Sequence, residues 1–278
     1  MQKTVRLFYT CTLVVTLFLT ACSGLSFEQS TPTPPPVVIL KASGSGTITN
    51  ILVALTPAFE AATPGYKLEV LSGSGTGSGV TGILEGVLDV ATMARAPKEE
   101  ETAKNVQYFE MGLVGQAIIA HSELTGVTSL SSQQVIDIFS GKITNWSEVG
   151  GPDLKMVLYV RDEDDSSTKG LRKVFLGETV FPDTATTLTS QDDMIISVQG
   201  TPGAIGIASW PVVSAIKANV QAIAIDGVRP DDAAYPILDS GGVGYMADHA
   251  DYVQPLINWL SSAEGQSALK ALGFVLTK

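Results

Sequence analysis

The sequence predicts an α/β protein of two lobes, each a mainly parallel sheet flanked by helices, joined by a two-strand hinge. Two observations carry that prediction. Apolar runs of strand length alternate with helical periodicities from Val37 onward, and the alternation comes in two successive blocks. With 278 residues, 45% of them hydrophobic, the chain is long enough for two cores and too apolar for disorder.

The first block opens with Val37-Val-Ile-Leu40, an apolar run of buried-strand type, and residues 48–62 read as a helix stopped by Pro64-Gly65. A strand at 67–71, a short helix at 80–88, a strand at 90–93 and a helix at 99–104 follow. Residues 112–120 are almost continuously apolar, the pattern of a strand buried on both faces. The second block reads as helix 132–139, strand 155–160, helices 170–175 and 192–198, and a strand at 204–208 after the Pro202-Gly203 turn. A strand at 220–225 comes next, and the closing helices are 252–260 and 264–272, the last stopped by Gly273. Strands near 113–120 and 220–225 are the expected crossings. They make lobe 1 of residues 37–118 and 225–278, and lobe 2 of residues 119–224.

Ahead of this body, Lys3 and Arg6 precede an apolar stretch at 7–19 that closes on Leu19-Thr-Ala-Cys22. The stretch is short for a membrane span, and its small closing residues suit a cleavage site, so 1–21 reads as a secretory signal. The Leu-Thr-Ala-Cys run resembles the lipobox of bacterial lipoproteins. That resemblance implies cleavage before Cys22, lipid on its sulfur, and a chain exported and lipid-anchored to the cell membrane, in the periplasm or at the cell surface. Cys11 leaves with the signal, so no internal disulfide is expected. Residues 22–36, ending Thr31-Pro-Thr-Pro-Pro-Pro36, cannot pack a core and read as a tether.

A formal net charge of -11 speaks against nucleic acid as a partner. Any anion must therefore be held by local donors against an unfavourable overall field. Three loops between a strand and a helix supply them: Ser43-Gly-Ser45-Gly-Thr47, Ser72-Gly-Ser74-Gly-Thr76-Gly-Ser-Gly79, and 161–169 with Arg161, Ser166, Ser167 and Thr168. A helix N-terminus offers unpaired N–H groups and partial positive charge, and glycine and Ser/Thr add close approach and hydroxyl donors. Arg161 adds a forked, permanently charged donor pair suited to a tetrahedral oxyanion. Ser and Thr ahead of a helix are also ordinary caps, but three such loops in one chain favour an anion site.

Enzymatic readings find little. Gly77-Ser-Gly79-Val-Thr-Gly82 is formally a dinucleotide fingerprint, but no acidic residue ends a following strand and the chain reads as exported. His121 and His249 are the only histidines, and no nucleophile–base motif accompanies them. The acidic run at 162–165 lacks the glycine and glutamate of a calcium loop. No catalysis, metal or cofactor is expected, and the chain is expected to act as a monomer.

Three further segments are Gly141-Lys-Ile-Thr-Asn-Trp-Ser-Glu-Val-Gly-Gly-Pro152, Pro202-Gly-Ala-Ile-Gly206, and Ser262-Ala-Glu-Gly-Gln266 followed by Gly273-Phe-Val275. Their order, with the loops before and between them, closely resembles the phosphate-binding proteins of ABC importers from about Val37 to the C-terminus. The resemblance implies a two-lobed periplasmic-binding-protein fold holding phosphate or a related oxyanion in the interlobe cleft. Closure of the lobes would present the complex to a membrane permease. By motif, Thr47 and Thr76 would donate from lobe 1, with Ser45 and Ser74 as neighbours, and Arg161, Ser166, Ser167 and Thr168 from lobe 2.

Two positions depart from the family pattern. Arg95 stands where the family carries an aspartate that accepts the proton of monohydrogen phosphate, so Arg95 joins the expected ligand set and makes the site more positive. Asp165-Ser-Ser-Thr168 replaces the usual Gly-Ser-Gly-Thr in a loop one residue longer, and Asp162 or Asp165 could take over as proton acceptor. Alternatives are another small anionic solute on the same fold, or a surface receptor or adhesion lipoprotein.

Overall fold

A computed structural model describes residues 36–73 and 75–277. The predicted signal, the lipidation cysteine Cys22, the tether before Pro36, and Ser74 lie outside the described residues.

In chain order the first elements are β1 (Val38–Gly44), α1 (Gly46–Ala62), β2 (Tyr66–Val70), α2 (Thr76–Leu84), β3 (Val90–Met93) and α3 (Glu99–Thr102). The middle comprises β4 (Val106–His121), β5 (Ser129–Leu130), α4 (Ser132–Phe139), β6 (Val157–Arg161), α5 (Ser166–Leu171), β7 (Thr186–Leu188) and α6 (Gln191–Gly200). The last are β8 (Ala204–Ser209), α7 (Trp210–Ala215), β9 (Val220–Ile225), β10 (Leu238–Met246), α8 (Ala250–Ser261) and α9 (Ala263–Ala271). A π-helical turn, Arg172–Leu176, continues α5.

Local pattern explains most of these. Helix α1 buries Ile48, Ile51, Leu52, Leu55 and Phe59, the stripe of an amphipathic helix laid on a sheet. Each such fully buried side chain stabilises the fold by about 1.5–3 kcal/mol relative to exposure. Strand β1 pairs in parallel with β2 and β3, as the β-α-β-α-β alternation requires.

The strands form one ten-stranded sheet with the main path β2-β1-β3-β10-β4-β8-β6-β7, while β9 pairs with β4 and β5. Its ends are parallel, and its middle is antiparallel, where β10 meets β3 and β4 and where β8 and β9 meet β4. Strand β4 is buried on both faces as its apolar run predicts. Ala117 and Ile119 enter one core cluster, and Ile118 and Ala120 enter the other.

Three expectations need correction. The strand running beside β4 from one core to the other is β10, with Ile237 just before it in the second cluster and Val243 in the first. The 220–225 strand, expected as that crossing, pairs only with β5 and the last residues of β4. Helix α2 starts at Thr76 instead of 80, and α5 at Ser166 instead of 170. Both first turns are built of Ser, Thr, Gly and Lys, so their helical character has no apolar periodicity to betray it.

Two of the family-like segments touch each other. The Trp146 ring is fully buried and its Nε1 donates to the Gly203 carbonyl at 2.9 Å. Asn145 Oδ1 accepts from the N–H groups of Ser147 and Leu154, which fixes the turn that carries the ring. In the third segment, Ser262 caps α9 through the Gly265 N–H at 3.1 Å. These segments build the frame and do not line the cavity described next.

Candidate functional site

A cavity of about 1030 Å³ opens among the N-termini of α1, α2, α5 and α6. Of the residues expected from sequence, Ser45, Thr47, Thr76, Arg95, Arg161 and Ser166 line it. Ser74 falls outside the described residues.

The four helix ends differ in how they are closed. The N-caps of α1 and α2 are Ser45 and Gly75, and neither makes a side-chain capping bond. Their first-turn N–H groups thus point at the cavity with no cap to satisfy them. By contrast, Asp165 caps α5 by accepting from the Ser167 N–H, and Ser190 caps α6 by accepting from the Asp193 N–H.

Glycine makes the open ends possible. Gly75 has φ of +105°, a conformation that places the turn into α2 and that side-chained residues rarely adopt. A Cβ on Gly79 would come within 2.8 Å of the Gly44 Cα and the Ser43 carbonyl, so α2 can lie against β1 only with glycine there. The formal dinucleotide fingerprint therefore has a packing cause in this glycine.

The two threonines are oriented differently. Thr76 Oγ1 accepts from the Ala94 N–H at 3.1 Å, which leaves its own hydroxyl proton to donate. Thr47 Oγ1 donates to Gln191 Oε1 at 3.4 Å, and the same Oε1 accepts from the Ser209 N–H at 3.3 Å. Gln191, the first residue of α6, lines the cavity and was not anticipated from sequence; nor were Thr189, Ser190, Lys173 and Asp239. For residues 189–191 the only sequence signal is a Thr-Ser-Gln step into a helix that looks like ordinary capping.

Across from α1 and α2, Arg161 ends β6 with only 10% of its side chain exposed. Its Nη2 lies 2.9 Å from Asp165 Oδ2 and donates to the Thr189 carbonyl at 3.2 Å. Its Nε is buried with no hydrogen-bond partner. Ser167 and Thr168 are not brought to the cavity. Both are buried, Ser167 bonding Asp165 through N and Oγ, and Thr168 Oγ1 donating to the Arg161 carbonyl at 3.1 Å. They hold the arginine and its carboxylate in place.

Arg95 lines the wall, but Glu101 holds its guanidinium in a two-pronged pair at 2.7 and 2.8 Å. The hydrogen bond from Arg95 holds the Glu101 carboxyl below its ordinary range, against an opposing push from burial. The positive charge expected from Arg95 is thus neutralised in place. Neither proposed substitute acceptor stands free: Asp162 is exposed and off the cavity, and Asp165 is bound by Arg161.

The charges lining the cavity are Arg95, Arg161, Lys169 and Lys173 against Asp164, Asp165, Asp192 and Asp239. Lys169 Nζ sits 3.3 Å from Asp164 Oδ1, and Asp192 accepts from Asn50 at 3.4 Å. An entering anion therefore meets backbone N–H groups, hydroxyls and one well-held arginine in a wall whose other charges are largely paired. Such a site can bind an anion.

Comparison with known proteins fits this geometry. A family described as a PBP superfamily domain matches residues 29–264. The phosphate-binding protein PstS of Bacillus subtilis is 30% identical over 194 residues, which covers 69% of this chain and 63% of that protein's length. The PstS of Borreliella burgdorferi is 21% identical over 85% of this chain and 89% of its own. Among solved structures, a putative phosphate ABC transporter substrate-binding protein with bound phosphate from Clostridium perfringens superposes with a TM-score of 0.72 at 24% identity. That match covers 86% of this chain and 100% of the other.

Proposed function

The chain belongs to the PBP superfamily, and from that premise we propose that it captures inorganic phosphate and delivers it to an ABC importer. The observation that carries the reading is the opposition of two uncapped helix N-termini, bearing Thr47 and Thr76, to the buried Arg161 across one cavity. Hydroxyls, N–H groups and a forked guanidinium are the donors a tetrahedral oxyanion needs, and they are set before it arrives. Relatives named as phosphate-binding proteins support the choice of ligand.

In this reading Thr47, Thr76 and Arg161 contact the anion, with Ser45, Ser74, Arg95 and Ser166 around them. Ser167 and Thr168 support the arginine. The two lobes expected from sequence, with their second boundary moved from 225 to β10, close on the ligand for recognition by the permease. No bond is made or broken. The Leu19-Thr-Ala-Cys22 run supports export on residues 1–21, lipid on Cys22 and a tether over residues 22–36.

Calorimetric titration of the purified protein with phosphate, sulfate and a panel of small carboxylates tests the ligand. Saturable phosphate binding is expected, and none at millimolar phosphate would overturn the reading. Loss of labelled-lipid incorporation in Cys22→Ala tests the anchor.

A further inference from the structure

The cavity is larger than inorganic phosphate needs. Its volume of about 1030 Å³ lies at the upper end of pockets that enclose organic ligands, roughly 300–1,000 Å³, and a lone tetrahedral oxyanion fills little of it. The space is not simply a parted cleft, because α1 and α6 already bond to each other beside it, Thr47 to Gln191 and Asn50 to Asp192. Thr47, Thr76, the open ends of α1 and α2, and Arg161 supply the oxyanion donors. Another part of the wall carries Val53, Val70, Leu71, Lys173 and Asp239.

Asp239 reaches the cavity from β10, opposite Val114 of β4. Its Oδ2 accepts from Gln116 Nε2 at 3.0 Å, while its Oδ1 has no hydrogen bond among the described residues. Gln116 is only 2% exposed and is itself fixed. Its N–H donates to the Ile237 carbonyl at 3.0 Å, and its carbonyl accepts from the Tyr235 hydroxyl at 3.2 Å. The Gln116 side-chain oxygen is buried with no donor. Neutral groups thus hold the carboxylate in a corner that has more acceptors than donors.

The other cavity carboxylates are committed or exposed. Asp165 is bound by Arg161 and by Ser167, Asp164 is fully exposed beside Lys169, and exposed Asp192 takes a bond from Asn50. Among the described residues, Asp239 is the cavity carboxylate that is part-buried and has no ion-pair partner; Lys173 acts on it only from an exposed position. Burial lifts the Asp239 carboxyl above its ordinary range, opposed by the Gln116 bond and Lys173 and assisted by Asp165. Asp165, whose charge Asp239 feels, is the partner of Arg161, so the unpaired carboxylate lies within electrostatic reach of the oxyanion donors.

Oxyanion donors in one part of a wall and an uncompensated carboxylate in another are complementary to a ligand that carries both signs. We propose that the cavity also takes small zwitterions in which a phosphoryl group and a primary ammonium are joined by a short carbon chain, the ammonium resting on Asp239. Its N–H groups supply the donors that corner lacks, and its charge compensates the carboxylate where a hydroxyl could not. Val53, Val70 and Leu71 offer apolar surface to the chain carbons. This inference rests on the oxyanion reading of the cavity and extends it from inorganic phosphate to a class of organic ligand.

The test is calorimetric titration of the purified protein with phosphate, ethyl phosphate, phosphoethanolamine and 3-aminopropyl phosphate at neutral pH. At least one aminoalkyl ester should bind at least about tenfold more tightly than ethyl phosphate, which has no ammonium. In Asp239→Asn, which can keep the Gln116 bond, that ratio should fall to about one or below; in Asp192→Asn it should persist. Phosphate binding without either aminoalkyl ester, no preference over ethyl phosphate, or a preference that survives Asp239→Asn or disappears in Asp192→Asn would each overturn the inference and leave phosphate capture standing. An aminoalkyl ester bound in the absence of any phosphate binding would support the inference and overturn inorganic phosphate as the ligand. A protein that binds none of the four overturns both. If Asp239→Asn fails to fold, the wild-type ester ratio and the Asp192→Asn series still decide.

Discussion

Arg161 and Asp165 stand 2.9 Å apart where β6 runs into α5, and both are largely buried. The pair ties the guanidinium to the first turn of the helix, because Asp165 also accepts from the Ser167 N–H while Thr168 returns a bond to the Arg161 carbonyl. One side of the cavity is therefore ordered by its own charges before any ligand enters. The other side, at α1 and α2, keeps its N–H groups uncapped. Affinity then comes from donors whose ordering is already complete, which lowers the entropic cost of binding.

Removing the arginine should cost both binding and stability. Arg161→Ala is expected to weaken phosphate binding by about 2–5 kcal/mol, the range for truncating one member of a buried charge pair. It also leaves Asp165 uncompensated in a part-buried place, so the denaturation midpoint should fall. Arg161→Lys keeps the charge but not the fork, and should recover stability more fully than affinity. Calorimetry paired with urea unfolding separates the two effects.

The Trp146 indole reports on the frame alone. Trp146→Phe keeps a ring in the core but removes one of two bonds to the Gly203 carbonyl, which still accepts from the Val157 N–H, at an expected cost of about 0.5–1.5 kcal/mol. Phosphate affinity should not change, because neither residue lines the cavity. A variant that loses affinity without losing stability would contradict the assignment.

How far the sequence could be read follows from the kind of signal each part carries. Helix α1 and strand β4 declare themselves through apolar spacing, since Ile48, Ile51, Leu52 and Leu55 must share a face and residues 112–120 have no polar face to expose. The open helix ends at Thr47 and Thr76 were legible because glycine and hydroxyl residues cluster there. Strand β10 was not, because Gly241, Gly242 and Gly244 erase the alternation of a strand, and Asp239 went unseen with it. Nor could sequence show that Glu101 would take up the Arg95 guanidinium, or that Ser167 and Thr168 would turn inward. Those outcomes depend on which partner lies within reach after folding.

Arg95 and Glu101 yield a prediction on both function and pH. With its guanidinium held by Glu101, Arg95→Ala should reduce phosphate affinity less than Arg161→Ala does. Arg95 holds the folded-state Glu101 carboxyl below its unfolded value, so the native state binds fewer protons across that interval. The stabilisation is present above the ordinary glutamate range and is lost as pH falls through the folded value. Glu101→Gln should therefore lower stability at neutral pH and flatten the acid limb of the profile. Urea unfolding of wild type and variant over that limb measures the difference.

Asp239 should act on stability with the opposite sign. Burial raises its folded-state value above the unfolded one, so between the two values the native state binds more protons than the unfolded chain. Unfolding free energy must then decline as pH rises through that window, and the ligand-free protein carries the penalty at neutral pH. Asp239→Asn can still accept the Gln116 bond through its carbonyl oxygen while removing the charge, so it should be more stable than wild type at neutral pH and equal to it in acid. Denaturant unfolding of the two ligand-free proteins across the window checks this. An Asn variant that is less stable at neutral pH would mean that Lys173 compensates the carboxylate more fully than its exposed position suggests.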